Sequence, residues 1–114
     1  MRSLSATQAY RSASSHRGQR EQDSEVFRRA NASLRSAQIH GGMTQVRAIA
    51  ENEQLWTLVI DLLRDPGNPL PPPLRGSMIS VGLAVRRELG VEAPNLDFVI
   101  GVNEQFAAGL AGAH

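Results

Sequence analysis

Five of the six prolines in this chain fall between residues 66 and 73, in the run Pro66-Gly67-Asn68-Pro69-Leu70-Pro71-Pro72-Pro73. Proline has no backbone N–H and a fixed φ, so no helix interior and no central strand can pass through such a run. The chain is cut there into two halves that must each form their own elements. Gly41–Gly42 cuts the first half again, because glycine reaches the left-handed backbone without a Cβ clash. Gly90 and Pro94–Asn95 cut the second. Between these breaks the apolar residues recur at helical spacing, and no stretch alternates strictly between apolar and polar as a half-buried strand does.

Four main helices follow, near 21–40, 44–65, 71–89 and 95–111, and the fold class is all-α, a small single-domain bundle. In the first, Phe27, Ala30, Leu34 and Ala37 share one face. Thr44 is placed to cap the second. Pro71 or Pro72 suits the first turn of the third, where a missing N–H costs nothing. Asn95 caps the fourth, Asp97 complements its positive end, and Gly109 or Gly112 closes it. With 114 residues the chain supports one core without staples. Residues 1–20 are rich in Ser, Gly and Arg and read as a mobile or weakly docked segment, with a short helix around Leu4–Ser12. The folded domain then spans 21–114.

Composition removes most catalytic chemistry. There is no Cys, so no disulfide, thiolate nucleophile or Cys-ligated metal. All 12 basic residues are Arg, which excludes a Schiff-base or P-loop lysine. His16, His40 and His114 lie far apart, and Ser14-Ser15-His16 has no fixed geometry. Glu51 and Glu53 project to different sides of their helix, while Asp61 and Asp65 read as a solvated face. Nothing calls for a cofactor or metal, and no enzymatic function is expected. No run approaches the length of a membrane span, and no apolar region follows Arg2, so a cytoplasmic protein is expected. Residues 1–42 hold 7 Arg against 3 acids, and residues 43–114 hold 5 Arg against 8. That basic front is modest for nucleic acid, and five aromatic residues leave little for stacking on bases.

Three apolar faces carry information. On the 45–64 helix, Ala48, Asn52, Leu55, Val59 and Leu62 form one stripe, with Ile49, Trp56, Ile60 and Leu63 beside it. So broad an apolar arc is either central in the bundle or covered by a partner. On the 71–89 helix, Leu74, Met78, Val81 and Val85 make a seam, with Ile79 and Leu83 to the side. Gly76, Ser80 and Ala84 form a small-residue row that serves either internal packing or the close approach of a partner helix. On the last helix, Asn103 sits within the stripe Leu96, Val99, Ile100, Phe106, Ala107 and Leu110. Asn103 and Asn52, each in an apolar stripe, are expected to bond to backbone groups or to one another.

Certain of these residues, taken in order, resemble a known family. Asn52-Glu53-Gln54-Leu55-Trp56, then Asp61-Leu62, then Asn68-Pro69-Leu70-Pro71-Pro72-Pro73-Leu74-Arg75, then Val102-Asn103 and Gly109-Leu110 are similar to the signature of the flagellar biosynthesis regulator FlaF family. The similarity covers about residues 46–111. Two positions depart from it: Ala84 precedes Val85-Arg86 where members often carry Trp, and His16 stands where a proline commonly follows Ser. The resemblance implies a cytoplasmic, non-enzymatic protein of flagellated alphaproteobacteria, needed for flagellin production or export and associated with FlbT, a regulator of flagellin messenger translation. It implies structural roles for Asn52, Asp61, Asn68, Leu70, Pro71, Asn103, Gly109 and Leu110.

Two functions are compatible with this. One is a chaperone-like protein that binds flagellin monomers in a helical groove; the other is post-transcriptional control of flagellin messenger RNA, with FlbT or directly. The absence of Lys and of any RNA-recognition signature argues against direct RNA contact. For flagellin, the candidate surface is the groove between the second and third helices. Leu55, Trp56, Val59 and Leu63 form one wall, and Leu74, Arg75, Gly76, Ile79, Ser80, Leu83 and Ala84 form the other.

Overall fold

The computed structural model describes the backbone over residues 6–112 and side chains over residues 18–112. Four helices account for the fold: α1 (Ala6–His40), α2 (Gly42–Arg64), α3 (Pro72–Leu89) and α4 (Leu96–Leu110). No strand occurs among the described residues. Consecutive helices run antiparallel, and α4 returns to pack beside α1. Ser24 faces Ala107, Asn31 faces Ile100, and Gln38 faces Asp97 along that last pairing.

The first helix differs most from expectation. It does not begin near residue 21 but runs unbroken from Ala6 for 35 residues. No proline or glycine pair interrupts 6–20, and the lone Gly18 costs only about 1 kcal/mol in a helix. The expected short helix at Leu4–Ser12 merges into α1, with its residues 4 and 5 outside the described part. The Ser14-Ser15-His16 side chains are likewise outside it.

The breaks fall where the sequence puts them, with changes in chemistry. Gly41 has φ 59° and ψ −152°, a region open essentially to glycine alone, and Gly42 follows at φ 52°. The two residues reverse the chain with no intervening loop. As a result α2 begins at Gly42, and Thr44 lies inside its first turn and not at the cap. Pro71 occupies the N-cap of α3, with Pro72 and Pro73 in the first two helical positions. Gly90 ends α3 in ordinary right-handed backbone, not the left-handed form. Asn95 caps α4 by accepting from the Phe98 N–H at 3.1 Å. Gly112 closes α4 at φ 74°.

Phe27, Ala30, Leu34 and Ala37 are all buried, as their spacing requires. The α2 seam is rotated: Ala48, Asn52, Trp56, Ile60 and Leu63 face inward, and Leu62 is 55% exposed. The seam of α3 is rotated too. Its buried row is Gly82, Val85 and Leu89, while Leu74 and Val81 are exposed. Gly82 is the cause. A Cβ built there would stand 2.9 Å from Ile60 Cγ1 and 3.2 Å from the Trp56 ring, so glycine alone permits this approach. Gly76, in contrast, has open space around it, and the row Gly76-Ser80-Ala84 does not serve internal packing at that end. We predict that Gly82→Val lowers unfolding free energy by about 1–3 kcal/mol, measured by urea denaturation.

Candidate functional site

The interior is built around polar groups. Trp56, fully buried, donates its indole N–H to Asn103 Oδ1 at 2.9 Å. Asn103 gives its two amide hydrogens to Asn31 Oδ1 and Asn52 Oδ1, both at 2.9 Å. Asn31 donates onward to the Ile100 carbonyl at 3.0 Å. Asn52 donates to the Ala48 and Ala30 carbonyls at 2.9 and 3.3 Å. One connected network thus ties α1, α2 and α4 together. Phe27 and Phe106 close over Trp56, their ring centroids 5.8 and 4.9 Å from its own. Ser24, also buried, donates to the Ala107 carbonyl at 2.8 Å.

Each buried amide here has its partners, and an unpaired one would cost about 1–3 kcal/mol. The expected bond between Asn52 and Asn103 is present. Asn31 and Ser24 complete the polar interior, though neither is apolar enough to mark a core. Their only signal is position: Ser24 lies three residues before Phe27 and Asn31 four after it, on the same helical face.

A second constellation closes the end of α2. Asn68 donates to the Leu62 carbonyl at 2.9 Å and accepts from the Leu70 N–H at 3.0 Å. Arg75 donates to the carbonyls of Leu63 and Asp65 at 3.3 and 3.2 Å. Asp65 accepts from the Gly67 N–H at 2.9 Å. A guanidinium over the last carbonyls of a helix also meets the negative end of its dipole. The proline run is thereby held as a shaped corner.

Several candidate contact residues must be reassigned on this geometry. Trp56 and Leu63 lie in the core and present nothing to a partner. Arg75 is spent on the end of α2. Leu55 and Val59 are half-buried against the core. The expected groove between α2 and α3 is closed by the contact of Gly82 with Trp56 and Ile60. What remains available lies on the outside of α3: Leu74, Gly76 and Ser80 are exposed, and Ile79, Leu83 and Ala84 are half-buried. Of the signature positions, Asp61 and Gly109 are exposed, whereas Leu70 and Leu110 are half-buried. No helix among the described residues is long and apolar enough to cross a membrane.

A family model described as flagellar protein FlaF matches residues 6–110. The chain belongs to the FlaF family. No curated protein and no solved structure gives a match. The matched span takes in all of α1 to α4, so it includes both polar constellations and the first turns of α1. This FlaF-family chain therefore places Asn52, Trp56, Asn68, Arg75 and Asn103 of its signature in fold-holding bonds. We predict that Asn103→Ala, which strands the Trp56 N–H and two amide oxygens, costs about 3 kcal/mol or more. Asn68→Ala, at a solvent-exposed corner, should cost about 0.5–1.5 kcal/mol. Chemical denaturation followed by Trp56 fluorescence measures both.

Proposed function

We propose that this protein binds flagellin monomers in the cytoplasm as a chaperone-like factor and so governs their production or export. The observation that carries this reading is the apolar outer flank of α3. Leu74 and Val81 are 47% and 37% exposed along one edge, and Gly76 and Ser80, both exposed, continue the outer side round the helix from them. An amphipathic helix docks on such a surface through i, i+3, i+4 apolar anchors, and small residues let the two backbones come close. Flagellin's terminal helices polymerise through apolar faces, and an unassembled monomer needs those faces covered. Family membership supplies the link to the flagellum; the exposed flank supplies a physical means. Association with FlbT is the proposed route from flagellin binding to control of flagellin messenger translation.

Binding driven by apolar burial changes little with salt, unlike binding that reads phosphates. Titration of the purified protein against monomeric flagellin should give saturable binding that 50 and 200 mM salt leave nearly equal. Gly76→Glu and Ser80→Glu should weaken it about tenfold or more, since each puts a charge on the docking face. Neither position packs against the core, so the thermal melting of both variants should stay close to that of the parent. Tight, salt-sensitive binding to the flagellin messenger leader, with no flagellin binding, would overturn the proposal.

A further inference from the structure

The first turns of α1 reach beyond the helices it packs against. Asn52 lies opposite Ala30, so counting outward along both helices brings Arg64, the last residue of α2, level with about residue 18 of α1. Ser24 lies opposite Ala107, so Leu110 comes level with about residue 21. Residues 6–17, about three turns and roughly 18 Å of helix, therefore extend past the ends of both packing partners. The overall dimensions of 58 × 27 × 23 Å reflect this projection. The arm continues a helix already nucleated within the bundle, so it extends without a second nucleus.

The composition of the arm says what fits it. Residues 6–17 carry Arg11 and Arg17 and no acid. In sequence, Ala6, Ala9, Tyr10 and Ala13 recur at the i, i+3, i+4, i+7 spacing of one helical face. The chain holds a surface of opposite character on α2. Asp61 and Asp65 lie on its exposed side against Arg64 alone, with Glu51 and Glu53 toward its two opposite edges. None of those four carboxylates joins an ion pair among the described residues. Leu58 and Leu62, one helical turn apart on the same helix, are 56% and 55% exposed. Glu53, Gln54, Thr57, Leu58 and Asp61 line a shallow depression there.

The two surfaces match in charge, length and apolar content, but they cannot meet within one molecule. The arm continues α1 without a break, and it leaves the bundle where α2 ends, so it points away from its own α2 face. We propose that the arm of one copy docks on the Leu58–Leu62 face of α2 in a second copy, and the reverse, giving an antiparallel two-fold dimer. Such an interface is isologous: each copy contributes one arm and one face. It is also electrostatically complementary at both contacts. The proposal stands apart from flagellin binding, which uses α3.

Sedimentation equilibrium of the full-length protein tests this through a charge exchange. The parent should dimerise, with a dissociation constant that rises with salt as the exposed charges are screened. Arg11→Glu/Arg17→Glu should raise that constant about tenfold or more, and Glu53→Arg/Asp61→Arg should do the same. Mixing the two variants should restore a dimer, because each reversed arm then meets a reversed face and each parental arm a parental face. All these positions lie on the arm or the exposed side of α2, and unchanged circular dichroism melting confirms that each variant folds. A parent that stays monomeric at concentrations of about 1 mM would overturn the proposal. So would a dimer that neither variant weakens, or two variants that fail to pair on mixing.

Discussion

The bond from the Trp56 indole to Asn103 is the point on which the rest of the fold turns. It crosses the bundle between α2 and α4, beside the Asn103–Asn52 bond and the Trp56–Phe106 ring contact. Trp56 then meets each remaining helix: Phe27 of α1 edge-on, Phe106 of α4 at 4.9 Å, and Gly82 of α3 by direct backbone approach. A purely apolar core of this size could slide by a turn and still bury similar area. Three asparagines cannot, because each slip would strand an amide in a medium where it costs about 1–3 kcal/mol. The network therefore sets helix register, with Asn52 fixing α2 on α1 and Asn31 fixing α4 on α1.

This bears on what a family signature means here. Asn52, Asn68 and Asn103 read as structural positions from sequence, whereas Trp56 and Arg75 read as partner contacts. In the folded chain they satisfy one another or the free carbonyls at the end of α2. These five signature residues lock the bundle.

Much of the fold was legible because its punctuation is chemically unambiguous. The proline run, Gly41–Gly42 and the Asn95 cap each have one physical meaning, and the four helices followed from them. The inward faces of α2 and α3 were harder to read. Their helices are apolar over so wide an arc that periodicity leaves the register open by one position, and contact with Gly82 decides it. Glycine carries no hydrophobic signal, so the residue that aligns α3 is invisible to any apolar pattern. The candidate groove failed for that same reason, since the wall assigned to Trp56 and Leu63 belongs to the core. The reach of α1 was missed on other grounds. Residues 6–20 lack the large apolar groups that mark a buried helix, and their helicity continues a helix anchored further along.

The four helices are not tied equally, and that shapes where a partner can act. The polar network includes α1, α2 and α4 but not α3, whose pairing with α4 is the thinnest in the bundle. What holds α3 is the burial of Val85 and Leu89 in the core, the Gly82 contact with Trp56 and Ile60, the Arg75 bonds at its start, and Glu88 accepting from the Asn95 N–H after its end. Its own N-cap, Pro71, makes no side-chain bond. Local opening is least costly in the element with the fewest buried ties. A ligand on the outer flank of α3 can therefore shift that helix without stranding any amide of the core. The same shift in α1, α2 or α4 would break the network.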